Sequence, residues 1–200
     1  YFLCMLDRQR LAQAEFPIGH LEKAQVRRIA EEAGLSVAKK KDSTGICFIG
    51  ERKFREFLKK CLPAQPGEIR TLEGEYIKDH EGLMYYTLGQ RKGLGVAAAG
   101  RLFVHALRPE TDEVVLSLED VFEKEIKVRD VHYIAPEYAE NGAFPCEVRV
   151  RFSRRSDRAL VYPEAGGARI MFEDVVRAPA RGQSAVFYDN DIVIGGGFIC

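Results

Sequence analysis

The stretch Cys146-Glu147-Val148-Arg149-Val150-Arg151-Phe152 alternates apolar and charged residues with a period of two. Because successive strand residues point to opposite faces, the apolar side chains share one face, and Glu147, Arg149 and Arg151 share the other. Five more short strand patterns recur at a spacing typical of a β-barrel or a β-sandwich: residues 128–133, 158–162, 168–172, 184–188 and 192–194. A closed barrel is favoured over a sandwich, since closure leaves no exposed sheet edge.

Two helical patterns precede the predicted barrel. Apolar residues at helical spacing predict a helix within residues 17–34, with Gly34 at its C-terminal end. A second apolar stripe predicts a helix from about Glu51 until Pro63 ends it. This stripe includes Cys61, which is therefore expected to face a core, as a small apolar residue does.

Short strands replace helices after Gly67. Residues 68–71 and 76–78 flank a Glu73-Gly74 turn, which predicts a hairpin. Residues 102–107 are predicted to pair with residues 114–118 across a second turn. With the helices and the barrel, this segment predicts a multidomain α+β protein.

The composition is that of a globular chain that is not exported. The 200 residues are 46% hydrophobic and 10% aromatic, which is enough to fill real cores. An apolar run of about 18 residues and a basic-then-apolar leader are both lacking, so we expect a cytoplasmic protein without a membrane partner. The five cysteines form no CxxC pair and the four histidines are scattered, so the sequence predicts no metal site.

The formal net charge is zero, but charges of each sign are grouped along the chain. Acidic residues concentrate in residues 110–125, and arginines concentrate around the strand that ends at Phe152. Arginines on an outer strand face can contact phosphates or stack on unpaired bases, and an aromatic ring at the strand end can stack as well. An ordinary solvated strand shows the same pattern, so both interpretations stay open.

The run Asp42-Ser43-Thr44-Gly45-Ile46-Cys47-Phe48-Ile49-Gly50-Glu51-Arg52 sets a thiol in a Gly-flanked turn ahead of a basic helix. A cysteine acts as a nucleophile only as its thiolate, and nearby cations or a helix N-terminus lower its pKa. Three lysines precede Cys47, and further basic residues begin the following helix. This setting indicates sulfur chemistry at Cys47.

This run resembles the second catalytic-cysteine motif of the bacterial tRNA-specific 2-thiouridylase family. The resemblance continues through residues 61–67, 82–94, 182–188 and 195–197 in order along the chain. It implies three parts. Residues 1–62 are the helical remnant of an N-terminal α/β nucleotide-binding domain of the PP-loop type, which carries the cysteine loop. Residues 63–125 are a small central α+β domain, and residues 126–200 are a C-terminal antiparallel β-barrel that contacts tRNA.

The resemblance also implies a reaction, the 2-thiolation of the wobble uridine of tRNA. ATP activates the C2 oxygen, Cys47 carries the incoming sulfur as a persulfide, and a second cysteine then closes a disulfide on Cys47. The sulfur donor is a protein partner, a cysteine desulfurase or a sulfur-relay carrier. The family's ATP loop and other catalytic cysteine are not found in this sequence. ATP is therefore expected to bind mainly to an absent N-terminal region, and the chain alone is expected to be inactive.

Three residues are assigned to tRNA contacts by the same resemblance, namely Arg151, Phe152 and Gln183. Two other functions remain open from the residues alone: a noncatalytic RNA-binding barrel, and a redox or sulfur-carrier protein that acts without RNA. The glycine-rich loop at residues 89–95 lacks the residue order of a phosphate-binding loop. Residues Gly195–Gly197 are more typical of closely packed strands than of a ligand site.

Overall fold

The computed structural model describes residues 1–41, 54–97, 100–152 and 155–200. They form two compact units, one of residues Gln9–Pro63 and one that combines Tyr1–Arg8 with Ala64–Cys200. A short helix α1 (Arg8–Gln13) includes the point in the chain at which the stretch Tyr1–Arg8 ends and the unit Gln9–Pro63 begins. None of the described helices has the length and apolar character needed to cross a membrane.

The unit of residues Gln9–Pro63 contains helices α2 (Lys23–Glu32) and α3 (Phe54–Cys61). A reciprocal capping box between Glu22 and Gln25 begins α2. Gly34, at φ +68°, ends it. The Gly34 amide donates to Glu31 O and the Leu35 amide donates to Ala30 O, a pairing that satisfies the last carbonyls of a helix. Both predicted helices and the role of Gly34 are thereby confirmed, with α3 ending ahead of Pro63. The predicted start of the second helix at about Glu51 lies outside the described residues.

The expectation that Cys61 faces a core is wrong, because its side chain is exposed. Phe57 and Leu58, on the same apolar stripe, are only half-buried. No described residue of this unit is fully buried, so the stripe has no core to enter within the described part of the unit. The helical spacing predicted the helix, but spacing alone does not supply the opposing surface that burial requires.

A four-stranded mixed sheet occupies the middle of the chain. Strands β1 (Gly67–Thr71) and β2 (Tyr76–His80) form the predicted hairpin, and β3 (Phe103–Arg108) pairs antiparallel with β4 (Glu113–Ser117), as predicted. Strands β1 and β4 run parallel in the middle, which gives the order β2-β1-β4-β3. The core of this sheet combines four strand residues, Ile69, Val104, Val114 and Leu116, with Leu94 from the loop that precedes β3.

Six antiparallel strands close into a barrel in the order β10-β5-β8-β7-β6-β9. The strands are β5 (Phe122–Tyr133), β6 (Phe144–Arg149), β7 (Asp157–Glu164), β8 (Gly167–Arg177), β9 (Ser184–Asp189) and β10 (Ile192–Ile199), with a one-turn helix α4 (Glu137–Glu140) between β5 and β6. Their inward residues, among them Val148, Ile170, Phe172, Phe187 and Ile194, form one core. The predicted α+β organisation with a closed antiparallel barrel is confirmed.

The three consecutive glycines of β10 lie against neighbouring backbone. A Cβ atom on Gly195 would lie 2.3 Å from His132 O, and one on Gly197 would lie 2.8 Å from Arg129 O. A Cβ on Gly196 would approach Cys4 Sγ at 3.3 Å. Close strand packing, rather than ligand binding, therefore accounts for the glycine run.

Candidate nucleic-acid interface

Strand β6 places its side chains as the alternation predicts as far as Val150. Val148 and Val150 are fully buried in the barrel, and Arg149 between them points to the opposite face. The Arg149 guanidinium carbon lies 5.0 Å from the centre of the Tyr188 ring, and Nη2 donates to Ser156 Oγ at 3.5 Å. Arg149 is thus a half-buried cation on the outside of the barrel wall, held by an aromatic face.

Arg151 is held by two backbone carbonyls. Its Nη2 donates to Leu88 O at 2.9 Å and to Ala178 O at 2.8 Å. Leu88 follows a short 3₁₀ helix (Leu83–Tyr85) that lies between β2 and β3, and Ala178 follows β8. One guanidinium therefore joins the central region to the barrel. Sequence alternation placed Arg151 on an outer face but gave no sign of this bridging role.

Arg177 makes a second bridge beside the first. Its Nε forms an ion pair with Asp120, and its Nη2 donates to Gly89 O at 2.9 Å. The loop at Gly89 packs so closely that a Cβ there would lie 2.5 Å from Ala178 Cβ. Two arginines therefore fix residues 88–89 against the barrel.

Phe152 leaves the barrel wall, although continued alternation would have put it on the core face with Val150. The strand ends at Arg149, and the Phe152 side chain is 59% exposed. Alternation predicts a face only while the chain stays extended, and the chain bends at residues 150–151. An exposed ring at the strand end is available for stacking, as the sequence suggested.

Tyr1 and Phe2 pack beside Phe152, a contact that the sequence did not predict. The ring centre of Phe2 lies 4.8 Å from that of Phe152, at an interplanar angle of 37°. Tyr1 contacts both rings, at 5.5 Å from Phe2 and 5.8 Å from Phe152. Nothing in the spacing of residues 1–5 links them to residue 152, because the contact is made only by the fold.

Gln183 lies in the exposed turn before β9. Its backbone is fixed, because its amide donates to Ala180 O at 3.1 Å and its carbonyl accepts from the Ile199 amide at 2.8 Å. The next residue, Ser184, accepts a hydrogen bond from the Tyr1 hydroxyl at 2.7 Å through its carbonyl. Tyr1 therefore connects the turn at Gln183 to the ring of Phe152.

Two arginines act electrostatically on the Tyr1 hydroxyl at these rings. Burial raises the pKa of the Tyr1 hydroxyl, an effect that Cys4 and Tyr188 reinforce and that the positive charges of Arg149 and Arg151 oppose. Both guanidinium groups are thus close enough to act on Tyr1. Phe152 and the residues around Tyr1 form an aromatic surface beside two cations.

The cysteines of the described residues differ in exposure. Burial raises the pKa of the Cys146 thiol to about 12, and burial also raises that of Cys4, which packs against Val186 and Tyr188. Cys4 is a core residue, since it is 2% exposed. Cys61 and Cys200 are exposed. Cys47, the predicted persulfide carrier, lies outside the described residues.

Two backbone amides of the glycine-rich loop at residues 89–95 are not free to bind the phosphates of ATP. The Gly89 amide donates to Val104 O at 2.8 Å, and the Gln90 amide donates to Thr87 O at 2.9 Å. A phosphate cradle needs such amides free to point at the ligand. Within the described part of the chain, no group of three or more His, Cys, Asp or Glu side chains is placed to hold a metal ion.

Three family models match successive parts of the chain. Residues 1–51 match the tRNA methyl transferase HUP domain, residues 55–118 the tRNA methyl transferase PRC-barrel domain, and residues 123–199 the aminomethyltransferase beta-barrel domain. The last range coincides with strands β5 to β10. Together they describe a protein class that joins a nucleotide-binding type of domain to two small β domains.

The chain is also similar to named relatives over its whole length. It is 45% identical over 205 residues to the tRNA-specific 2-thiouridylase MnmA of Halalkalibacterium halodurans, and 46% identical over 206 residues to the proteins of the same name from Geobacillus thermodenitrificans and Listeria monocytogenes. Each alignment covers 100% of this chain and 55% of the relative. The chain belongs to the tRNA-specific 2-thiouridylase family, to its central and C-terminal part, and spans about half the length of these relatives.

Proposed function

We propose that this chain takes part in the 2-thiolation of the wobble uridine of tRNA. The observation that carries the proposal is the identity of 45–46%, over the whole chain, to proteins named tRNA-specific 2-thiouridylase. The Cys47 motif and the cationic, aromatic surface on the barrel supply the two features that such a reaction needs, a nucleophilic sulfur and a place for RNA.

Cys47 carries the sulfur in this proposal. A protein donor, a cysteine desulfurase or a sulfur-relay carrier, transfers a sulfur atom to the Cys47 thiolate and leaves a persulfide there. The terminal sulfur then attacks C2 of the uridine, and a second cysteine forms a disulfide with Cys47 as sulfur is released. Basic residues on both sides of the motif favour the anionic form of the persulfide. ATP supplies the activation of the C2 oxygen as a leaving group, and we assign its binding outside the described residues.

The barrel holds tRNA through Arg151, Phe152 and Gln183 in the same proposal. Phe152 is an exposed ring that can stack on an unpaired base, and Gln183 lies in an exposed turn joined to it through Tyr1. Arg151 already donates to two protein carbonyls. Its contribution is therefore partly to position the residues around it, and partly its charge.

Sulfur loading of Cys47 tests the catalytic half of the proposal. The purified chain is incubated with a cysteine desulfurase and cysteine, and its peptides are analysed by mass spectrometry before and after reduction. We expect a reducible gain of one sulfur on the peptide that contains Cys47. The Cys47→Ser variant serves as the matched control, since it keeps the size of the side chain and removes the thiol.

Equal sulfur gain on all five cysteines, or a gain confined to exposed Cys61 or Cys200, would contradict the assignment of Cys47. A gain that persists in the Cys47→Ser variant would contradict it as well. The product of the whole reaction is distinguished from a methylated uridine by mass, because thiolation replaces an oxygen atom with sulfur and methylation adds a methyl group.

A further inference from the structure

We propose that Phe2 and Phe152 together form a stacking surface for one unpaired nucleobase of the bound RNA. This inference rests on the proposed function, because it assumes that RNA reaches the barrel. It adds Phe2, a residue that neither the sequence motifs nor the family resemblance assigned. It also assigns the ligand chemistry of the surface, an unstacked base rather than a duplex.

The exposure of Phe2 is the first observation. Its side chain is 76% exposed, yet it lies in a segment that is fixed at both ends. On one side the Tyr1 hydroxyl donates to Ser184 O at 2.7 Å, and on the other Cys4 is buried against Val186 and Tyr188. The Cys4 amide donates back to Tyr1 O at 3.3 Å, which closes the segment into a turn. Among the described residues, nothing covers most of the Phe2 ring, although its neighbours on both sides are anchored.

The arrangement of the two rings is the second observation. Their centres are 4.8 Å apart and their planes are inclined by 37°, so they are neighbours without being stacked face to face. Tyr1 meets Phe2 edge to face, at 87°, and limits its rotation from one side. Rings that are already positioned lose little conformational freedom on binding, which favours affinity.

The arginines near the two rings favour a nucleobase over an apolar protein segment as the ligand of this surface. Arg149 and Arg151 lie close enough to influence the Tyr1 hydroxyl electrostatically. Exposed Arg155 follows Phe152 by three residues. Exposed aromatic rings with arginines nearby match the alternating bases and phosphates of single-stranded RNA, and stacking there depends little on which base is bound.

The test measures binding of the 200-residue chain to bulk tRNA and to a blunt RNA duplex of similar length, by fluorescence anisotropy. We expect Phe2→Ala to weaken tRNA binding roughly 5- to 150-fold, the range that corresponds to one base stack. Duplex binding should not change, because its bases are not available for stacking. Phe2→Trp should bind tRNA at least as well as the wild-type chain.

The matched control is Phe122→Ala, which removes another exposed phenylalanine, 52% exposed, from the barrel unit. We expect it to leave tRNA binding unchanged. The double variant Phe2→Ala with Phe152→Ala should lose less affinity than the two single losses combined, because both rings contact the same base. The dependence on salt should not change in any of these variants, since no charge is removed.

Unchanged tRNA binding by Phe2→Ala, with weakened binding by Phe152→Ala, would overturn this inference and leave the proposed function intact. Equal losses for Phe2→Ala and Phe122→Ala would overturn it too, as would an equal loss on the duplex. If the wild-type chain binds neither RNA, the inference fails, while sulfur loading of Cys47 still reports separately on the catalytic proposal.

Discussion

Arg151 joins the central region to the barrel through two hydrogen bonds, to Leu88 O and to Ala178 O. We expect Arg151→Ala to lower the free energy of unfolding by about 1–3 kcal/mol, because it leaves partly buried carbonyls unpaired. Arg151→Lys should recover only part of the loss, since an ammonium group lacks the planar fork of a guanidinium. Urea unfolding followed by circular dichroism measures both.

Wild-type stability in Arg151→Ala, with weaker binding to tRNA, would contradict the bridging role and favour a pure RNA contact. Arg129→Ala is a suitable control, because Arg129 is exposed and pairs only with the adjacent Asp130 among the ion pairs described for it. Such an exposed pair contributes little to stability. Its removal should change the unfolding midpoint far less.

The cysteines provide a second prediction at the scale of residues. The reactive form of a thiol is the thiolate, and burial raises the pKa of Cys146 to about 12. At a pH of about 8, Cys146 therefore holds far less thiolate than an ordinary exposed cysteine does. We expect iodoacetamide to label Cys61 and Cys200 in the folded chain and to label Cys4 and Cys146 only after unfolding in urea. Peptide mass spectrometry distinguishes the sites, and rapid labelling of folded Cys146 would contradict its burial.

At the scale of elements, the glycine run of β10 determines whether the barrel can close. A methyl group on Gly195 would meet His132 O at 2.3 Å and Tyr133 Cα at 3.1 Å, which are backbone atoms of β5 and not the end of a flexible side chain. We expect Gly195→Ala to destabilise the barrel by about 3 kcal/mol, the upper range for overpacking. Thermal unfolding is the measurement.

Gly142→Ala is the control for this substitution. Gly142 has a φ of +83° and open space around its Cβ position, so only backbone strain of about 1 kcal/mol is expected. Equal effects of the two substitutions would show that backbone conformation, and not the close approach of β10 to β5, explains the glycine.

The strands were predictable because each has one face in a core, which imposes the period of two. The closed barrel followed from six such patterns without an edge to protect. What could not be predicted came from contacts between distant residues: Tyr1 and Phe2 against Phe152, and Arg151 with Leu88 O. The spacing of residues along the chain carries no information about such distant pairs. The expected burial of Cys61 failed for the same reason, since a helical stripe does not indicate what packs against it.

At the scale of the whole molecule, a net charge of zero does not prevent salt-dependent RNA binding, because the arginines near Phe152 act locally. We expect tRNA binding to weaken as salt rises, with a log–log slope of about −0.9 for each phosphate contacted. Arg155→Gln should reduce the magnitude of that slope by about 0.9, the contribution of one phosphate contact. Arg129→Gln, on another strand, should not. Binding that is insensitive to salt would contradict an RNA surface on the barrel.

We propose that this chain acts in tRNA thiolation through Cys47, and the formation of 2-thiouridine is the first measurement to make. Because the chain spans 55% of its relatives, it is exchanged for the corresponding part of the Halalkalibacterium halodurans protein, and the chimera is expressed in cells that lack their own enzyme. Mass spectrometry of tRNA nucleosides should detect 2-thiouridine with the chimera and none with its Cys47→Ser variant. Thiolation that survives Cys47→Ser, or a chimera that folds and binds tRNA without forming 2-thiouridine, would contradict the account.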